Sequence, residues 1–189
     1  MRRIVPIRRA AALMAALIAL VTIGHGLARV LEARHLEPAG LALGAVGTGL
    51  IAVSFVHSLR KRGVIRAGSP RVLLRVHETL AWSGALAVVA HAGVHVHALL
   101  PWLGIAAMLA AVTTGMIGEL LLGDARRRLE DRERMLRAGG LLEREIERRL
   151  MAEALAVRAL ELWRVVHLPV AINFAVLAAI HVVTVLLFH

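Results

Sequence analysis

Cysteine is absent from all 189 residues of this chain. That absence removes structural disulfides, thiolate-bound zinc, iron–sulfur clusters and covalent C-x-x-C-H haem attachment together. Any metal is left to histidine, carboxylate or methionine. Internal repeats and low-complexity tracts are also missing. Two glycine-paired stretches, "GHGLAR" and "GAVGTG", follow no strand, so neither supports a dinucleotide or phosphate cradle.

What the chain has in abundance is apolar sequence. Hydrophobic residues make up 59% and the mean hydropathy is +0.73, too apolar for an ordinary soluble domain. Five apolar segments reach the roughly 20 residues that a bilayer core demands, at about 10–28, 39–59, 76–97, 101–122 and 165–188. The expected fold is an all-α integral membrane bundle of five transmembrane helices, a single domain over 1–189. The leading "MRRIVPIRR" resembles the charged region of a signal peptide, but no small-x-small cleavage site follows, and the first segment reads as a retained helix.

The formal charge of +10 raises the question of nucleic acid, and the placement of the charge answers it. Of the 23 Lys and Arg residues, 21 fall in the N-terminal arm, the second connection and the fourth, all on one side of the membrane. The positive-inside rule then sets the N-terminus in the cytoplasm, in a multi-pass protein of a bacterial-type inner membrane. The basic charge is topology information, and no nucleic-acid partner is expected. The connection 124–164 mixes these cations with nine acidic residues and places Leu142, Ile146 and Leu150 at helical spacing. Gly139-Gly140 divides it into two arms, which predicts a solvated cytoplasmic helical hairpin between the fourth and fifth spans, with a docking surface as the sharper alternative. Gly40, Gly44, Gly47 and Gly49 in the second span allow close helix packing.

Histidine is the conspicuous polar residue within the spans. In "RVHETLAWSGALAVVAHAGVHVH", residues 75–97, His77 and His91 are 14 residues apart, close to four helical turns and about 21 Å along the axis, so they share one face. "WRVVHLPVAINFAVLAAIH", residues 163–181, repeats that spacing with His167 and His181. The two spans run parallel, since one crossing separates them, and each enters just after an arginine, Arg75 and Arg164. His77 is therefore expected level with His167, and His91 with His181. A planar macrocycle between the helices can take one axial nitrogen from each, one site per leaflet. Gly84, midway between His77 and His91, is expected to leave room for ring edges, and Arg75 and Arg164 suit haem propionates.

On these residues the chain resembles the membrane dihaem cytochromes b with bis-histidine ligation. That group includes the quinol-oxidising cytochromes b and the ferric-reductase and NADPH-oxidase membrane domains. The resemblance rests on H-x13-H in "HETLAWSGALAVVAH" and again in "HLPVAINFAVLAAIH", and it covers the membrane core alone. It implies two non-covalent haem b groups, the inner held by His77 with His167 and the outer by His91 with His181, and electron transfer across the bilayer between quinone, flavin or haem partners. Five spans and no flavin or nicotinamide domain depart from the ferric-reductase pattern. The expectation is thus an electron-transfer subunit of a larger oxidoreductase, set in membrane lipid as part of a complex or homo-oligomer. It would link a quinone to an extracytoplasmic haem or iron–sulfur protein.

Other residues carry plainer expectations. His95, four residues from His91, is an alternative outer ligand or an H-x3-H metal site, while His35, His97 and His189 read as interfacial. His25 and His57 either line a quinone site or hydrogen-bond a neighbouring carbonyl. Glu78 is expected to pair with Arg75, with proton acceptance from a quinone as the alternative. Asn173 is expected to hydrogen-bond between helices, and Trp82, Trp102 and Trp163 to pack or anchor at interfaces. Two other classes remain open: a histidine-lined divalent-metal transporter, disfavoured because Glu78 and Glu119 lie toward the inner surface and not at mid-depth, and a structural membrane anchor.

Overall fold

The computed structural model of the protein describes residues 4–66, 68–93 and 99–188, and for 4–7, 9, 119, 120, 163 and 164 the backbone alone. The expectations for His95, His97 and His189, and for the side chains of Glu119, Trp163 and Arg164, lie outside the described residues. Helix accounts for 91% of the structure, with no strand among the described residues. Among the described residues six helices follow in order: α1 (Ile4–Ala33), α2 (Glu37–Ser54), α3 (Val56–Lys61), α4 (Pro70–Ala92), α5 (Leu99–Ala138) and α6 (Glu143–Phe188). Five helical stretches are long and apolar enough to cross a membrane, with α2 and α3 together forming the second.

Local chemistry explains where these helices stop. After α1 the chain turns at His35, whose φ of 54° is left-handed, while Leu36 N–H donates to Leu31 O at 2.9 Å and His35 N–H to Glu32 O at 3.0 Å. This pattern satisfies the last carbonyls of the helix, and it makes the interfacial His35 a turn residue. Ser69, extended as a residue before proline must be, leads into α4, whose first residue is Pro70. The α5–α6 turn falls where the glycine pair predicts it: Gly140 has φ 75° and its N–H donates to Arg137 O at 3.0 Å.

The hairpin differs from a separate insertion. Helix α5 has 40 residues and α6 has 46, which at 1.5 Å per residue is about 60 and 69 Å, roughly twice a bilayer core. Its arms are direct extensions of the fourth and fifth spans, because Arg, Leu, Glu and Ala around 124 and 164 are good helix formers, and Pro169 removes one ladder bond of α6 without ending it. Ion pairs lace the extended arms, including Arg126–Glu161 and Arg132–Glu153 between helices. Arg149 and Arg148 both hydrogen-bond Glu145 and hold its carboxyl below the usual carboxylate range.

Helix α4 sits centrally, packed against α2 and α1, while α5 and α6 pair along their lengths. Small residues make the α4 contacts close: Gly84, Ala85, Ala87, Ala90 and Ala92 are all buried. At Gly47 and Gly84 the α2 and α4 backbones touch, since a Cβ on Gly84 would lie 2.7 Å from Gly47 O and one on Gly47 would lie 2.8 Å from Gly84 O. The room expected at Gly84 for a macrocycle is therefore filled by α2. Gly40, Gly44 and Gly47 serve close approach as expected, whereas Gly49 faces open space.

Because the obstacle at Gly84 is backbone, Gly84→Val should cost about 1–3 kcal/mol through overpacking. Gly49→Ala, with nothing to meet and a gain in helix propensity, should be neutral or mildly stabilising. Thermal unfolding of the detergent-purified variants measures both, and equal midpoints would refute the α2–α4 contact.

Candidate functional site

An imidazole buried in an apolar bundle must place its N–H on an acceptor, or lose about 1–3 kcal/mol of unrecovered desolvation. Three of the four spaced histidines meet that requirement in one way, with Nδ1 against a backbone carbonyl of a neighbouring helix. His77 Nδ1 lies 3.0 Å from Ser54 O, His91 Nδ1 2.9 Å from Gly40 O, and His167 Nδ1 3.0 Å from Ala111 O. A carbonyl only accepts, so the ring proton sits on Nδ1 and the lone pair on Nε2. That is the tautomer an Nε2 metal ligand needs, with the orienting hydrogen bond on the other nitrogen.

Helix carbonyls are normally shielded, because the side chain at i+4 leans back over the carbonyl of residue i. Two of the three acceptors are uncovered by glycine at that position. Gly44 stands four residues after Gly40, and a Cβ there would lie 2.8 Å from the His91 ring; Gly115 stands four after Ala111, and its Cβ would lie 3.3 Å from His167 Cε1. The third acceptor, Ser54 O, is exposed by a break in the second span at Phe55, whose N–H bonds Ala52 O three residues back. Thr114 adds to the His167 cradle: its hydroxyl donates to the Ala110 and Ala111 carbonyls and accepts at 3.0 Å from His167 Nδ1. The sequence reading missed Gly115 and Thr114. Their only signal is a glycine and a hydroxyl in an apolar helix, which is too common to single out without the partner histidine.

The levels agree with the parallel arrangement of α4 and α6. The His91 and His181 rings have centroids 6.5 Å apart and planes 60° apart. Two imidazoles at that separation would be able to hold one metal-centred group between them. No ring contact joins His77 to His167 among the described residues; His77 is instead stacked on His57, with centroids 5.6 Å apart and planes at 30°. Leu20, Ala85, Val89, Ala107, Met108 and Phe174 form one buried apolar cluster, in which Phe174 stands seven residues from both His167 and His181. Helices α4 and α6 themselves share no packed backbone seam among the described residues.

Tested against the cofactor expectation, the His91–His181 pair fits, with two rings close enough to share one group. His77 and His167, each with Nδ1 on a carbonyl, would be the second pair, and no ring contact joins them among the described residues. Arg75 is exposed two residues before His77 and makes no ion pair among the described residues, so the expected Arg75–Glu78 pair does not form. Asn173, expected to bond between helices, lies on the exposed face of α6. His25 is exposed on α1 near Gly93, Trp82 packs on the core, and Trp102 is exposed. No group of three or more His, Asp or Glu able to hold a metal ion forms among the described residues.

Gly44→Ala should displace the His91 ring and cost about 1–3 kcal/mol for its lost hydrogen bond, with Gly115→Ala milder and Gly104→Ala, which meets nothing, neutral. Nitrogen NMR of histidine-labelled protein should find His77, His91 and His167 protonated on Nδ1. Nε2 protonation at all three would overturn the geometry. Comparison with protein-family models, curated proteins and solved structures returns no match for this chain.

Proposed function

We propose that the protein is an integral membrane cytochrome b that binds two non-covalent haems between α4 and α6, using His77 with His167 and His91 with His181. The observation that carries this reading is the shared state of three of those histidines: Nδ1 on a backbone carbonyl and the lone pair on Nε2. The 6.5 Å spacing of the fourth from His91 supports it. Bound haem supplies reversible one-electron chemistry at iron.

The chain's own residues orient the ligands and exclude water. Gly40, Ser54 and Ala111 anchor one edge of each ring through their carbonyls and set its tautomer. Arg75 offers a cation at the end that carries His77. By the positive-inside rule this end, with the N-terminus and the hairpin, faces the cytoplasm of a bacterial-type inner membrane. The chain carries no other redox motif, so electrons enter and leave through separate partners: a quinone, and a haem or iron–sulfur protein outside the membrane. The divalent-metal transporter gains no support from the arrangement of described carboxylates and imidazoles.

A reduced-minus-oxidised spectrum of the purified protein, with a pyridine haemochrome assay, tests the reading. Two low-spin b-type haems per chain are expected, falling to about one in His91→Ala or His181→Ala and again to one in His77→Ala or His167→Ala. A colourless protein from haem-replete cells, or four variants that keep full haem, would overturn it.

A further inference from the structure

The two levels are built differently. At one, His91 faces His181; at the other, a fifth imidazole intervenes, because His57 stacks on His77 at 5.6 Å and 30°. His57 stands three residues after Ser54, whose carbonyl takes the His77 Nδ1 proton. The break at Phe55 lies between them, so one short irregular stretch grips His77 twice, by a hydrogen bond at its edge and by a ring against its face. The His57 ring itself is not held by polar contact: its Nδ1 is buried and has no hydrogen-bond partner among the described residues.

We infer that His57 is a positioning residue that fixes the ring plane of His77 by stacking, and that only the His77–His167 site depends on it. This inference rests on the cytochrome reading above. An isolated imidazole with one edge hydrogen bond can still swing about that bond; a second ring against its face removes the swing. The plane of an axial imidazole relative to its partner sets the anisotropy of the oxidised low-spin iron signal and contributes to the midpoint potential. A loosened His77 is therefore readable without any turnover assay.

The test compares full-length wild type, His57→Leu and His57→Phe by haem count, potentiometric titration and electron paramagnetic resonance of the oxidised protein. Phe keeps a flat ring and discards a nitrogen that bonds nothing described, so it should retain two haems with wild-type signals. Leu should keep two haems and shift the largest g value and the midpoint of one haem, the one lost in His77→Ala, leaving the other unchanged. Two haems with unaltered signals in His57→Leu would overturn the inference. So would loss of one haem in both variants, which would make His57 a ligand itself. If His57→Leu fails to fold, His57→Phe still decides: altered signals of that same haem defeat stacking as the mechanism, and wild-type signals sustain it. Wild type without haem would instead defeat the parent reading before any variant is compared.

Discussion

The N–H of an imidazole half-buried among alkyl side chains needs an acceptor, and in this protein the neighbouring helix backbone supplies it. That constraint reaches well beyond the histidines. A helix carbonyl already accepts one bond from i+4, but it has a second lone pair, and the second is reachable only where the turn above it is bare. Gly44 and Gly115 make it bare by having no side chain, and the irregularity at Phe55 does so by interrupting the ladder. The helix packing must then bring each donor within about 3 Å of its window, which ties α4 to α2 and α6 to α5.

The same glycines and alanines that open the windows also permit the contacts. Helix α2 approaches α4 until the backbones touch at Gly47 and Gly84, and in an apolar solvent such packing supplies what the hydrophobic effect cannot. With α4 committed to α2 and α1, and α6 committed to α5, the histidine-bearing faces of α4 and α6 meet through side chains and not through a backbone seam. Met108 and Phe174 belong to the buried apolar cluster that α1, α4, α5 and α6 share.

Much of this was written plainly in the chain. The five apolar segments, the turn at Gly139-Gly140 and the 14-residue histidine spacings depend on local composition and helical period, which sequence displays directly. The spacing also placed His91 opposite His181. It did not bring His57 onto His77, because residues on different helices have no common period. It misassigned Gly84 for the same reason, since a missing side chain announces closeness without saying to what. Arg75 and Glu78 are neighbours on paper by the i, i+3 rule, yet no ion pair of Arg75 forms among the described residues.

By itself, then, the sequence determined an all-helical chain with five segments fit for a membrane, its asymmetric charge and four histidines in two matching 14-residue spacings. Only the tertiary structure decided which carbonyl each imidazole uses, hence which nitrogen keeps its lone pair, and that the two histidine levels are unlike. Helical periodicity fixes where a side chain lies on its own helix. The partner across the gap depends on which helices pack together and how closely, and here that was settled by glycines whose effect exists only when a second helix arrives.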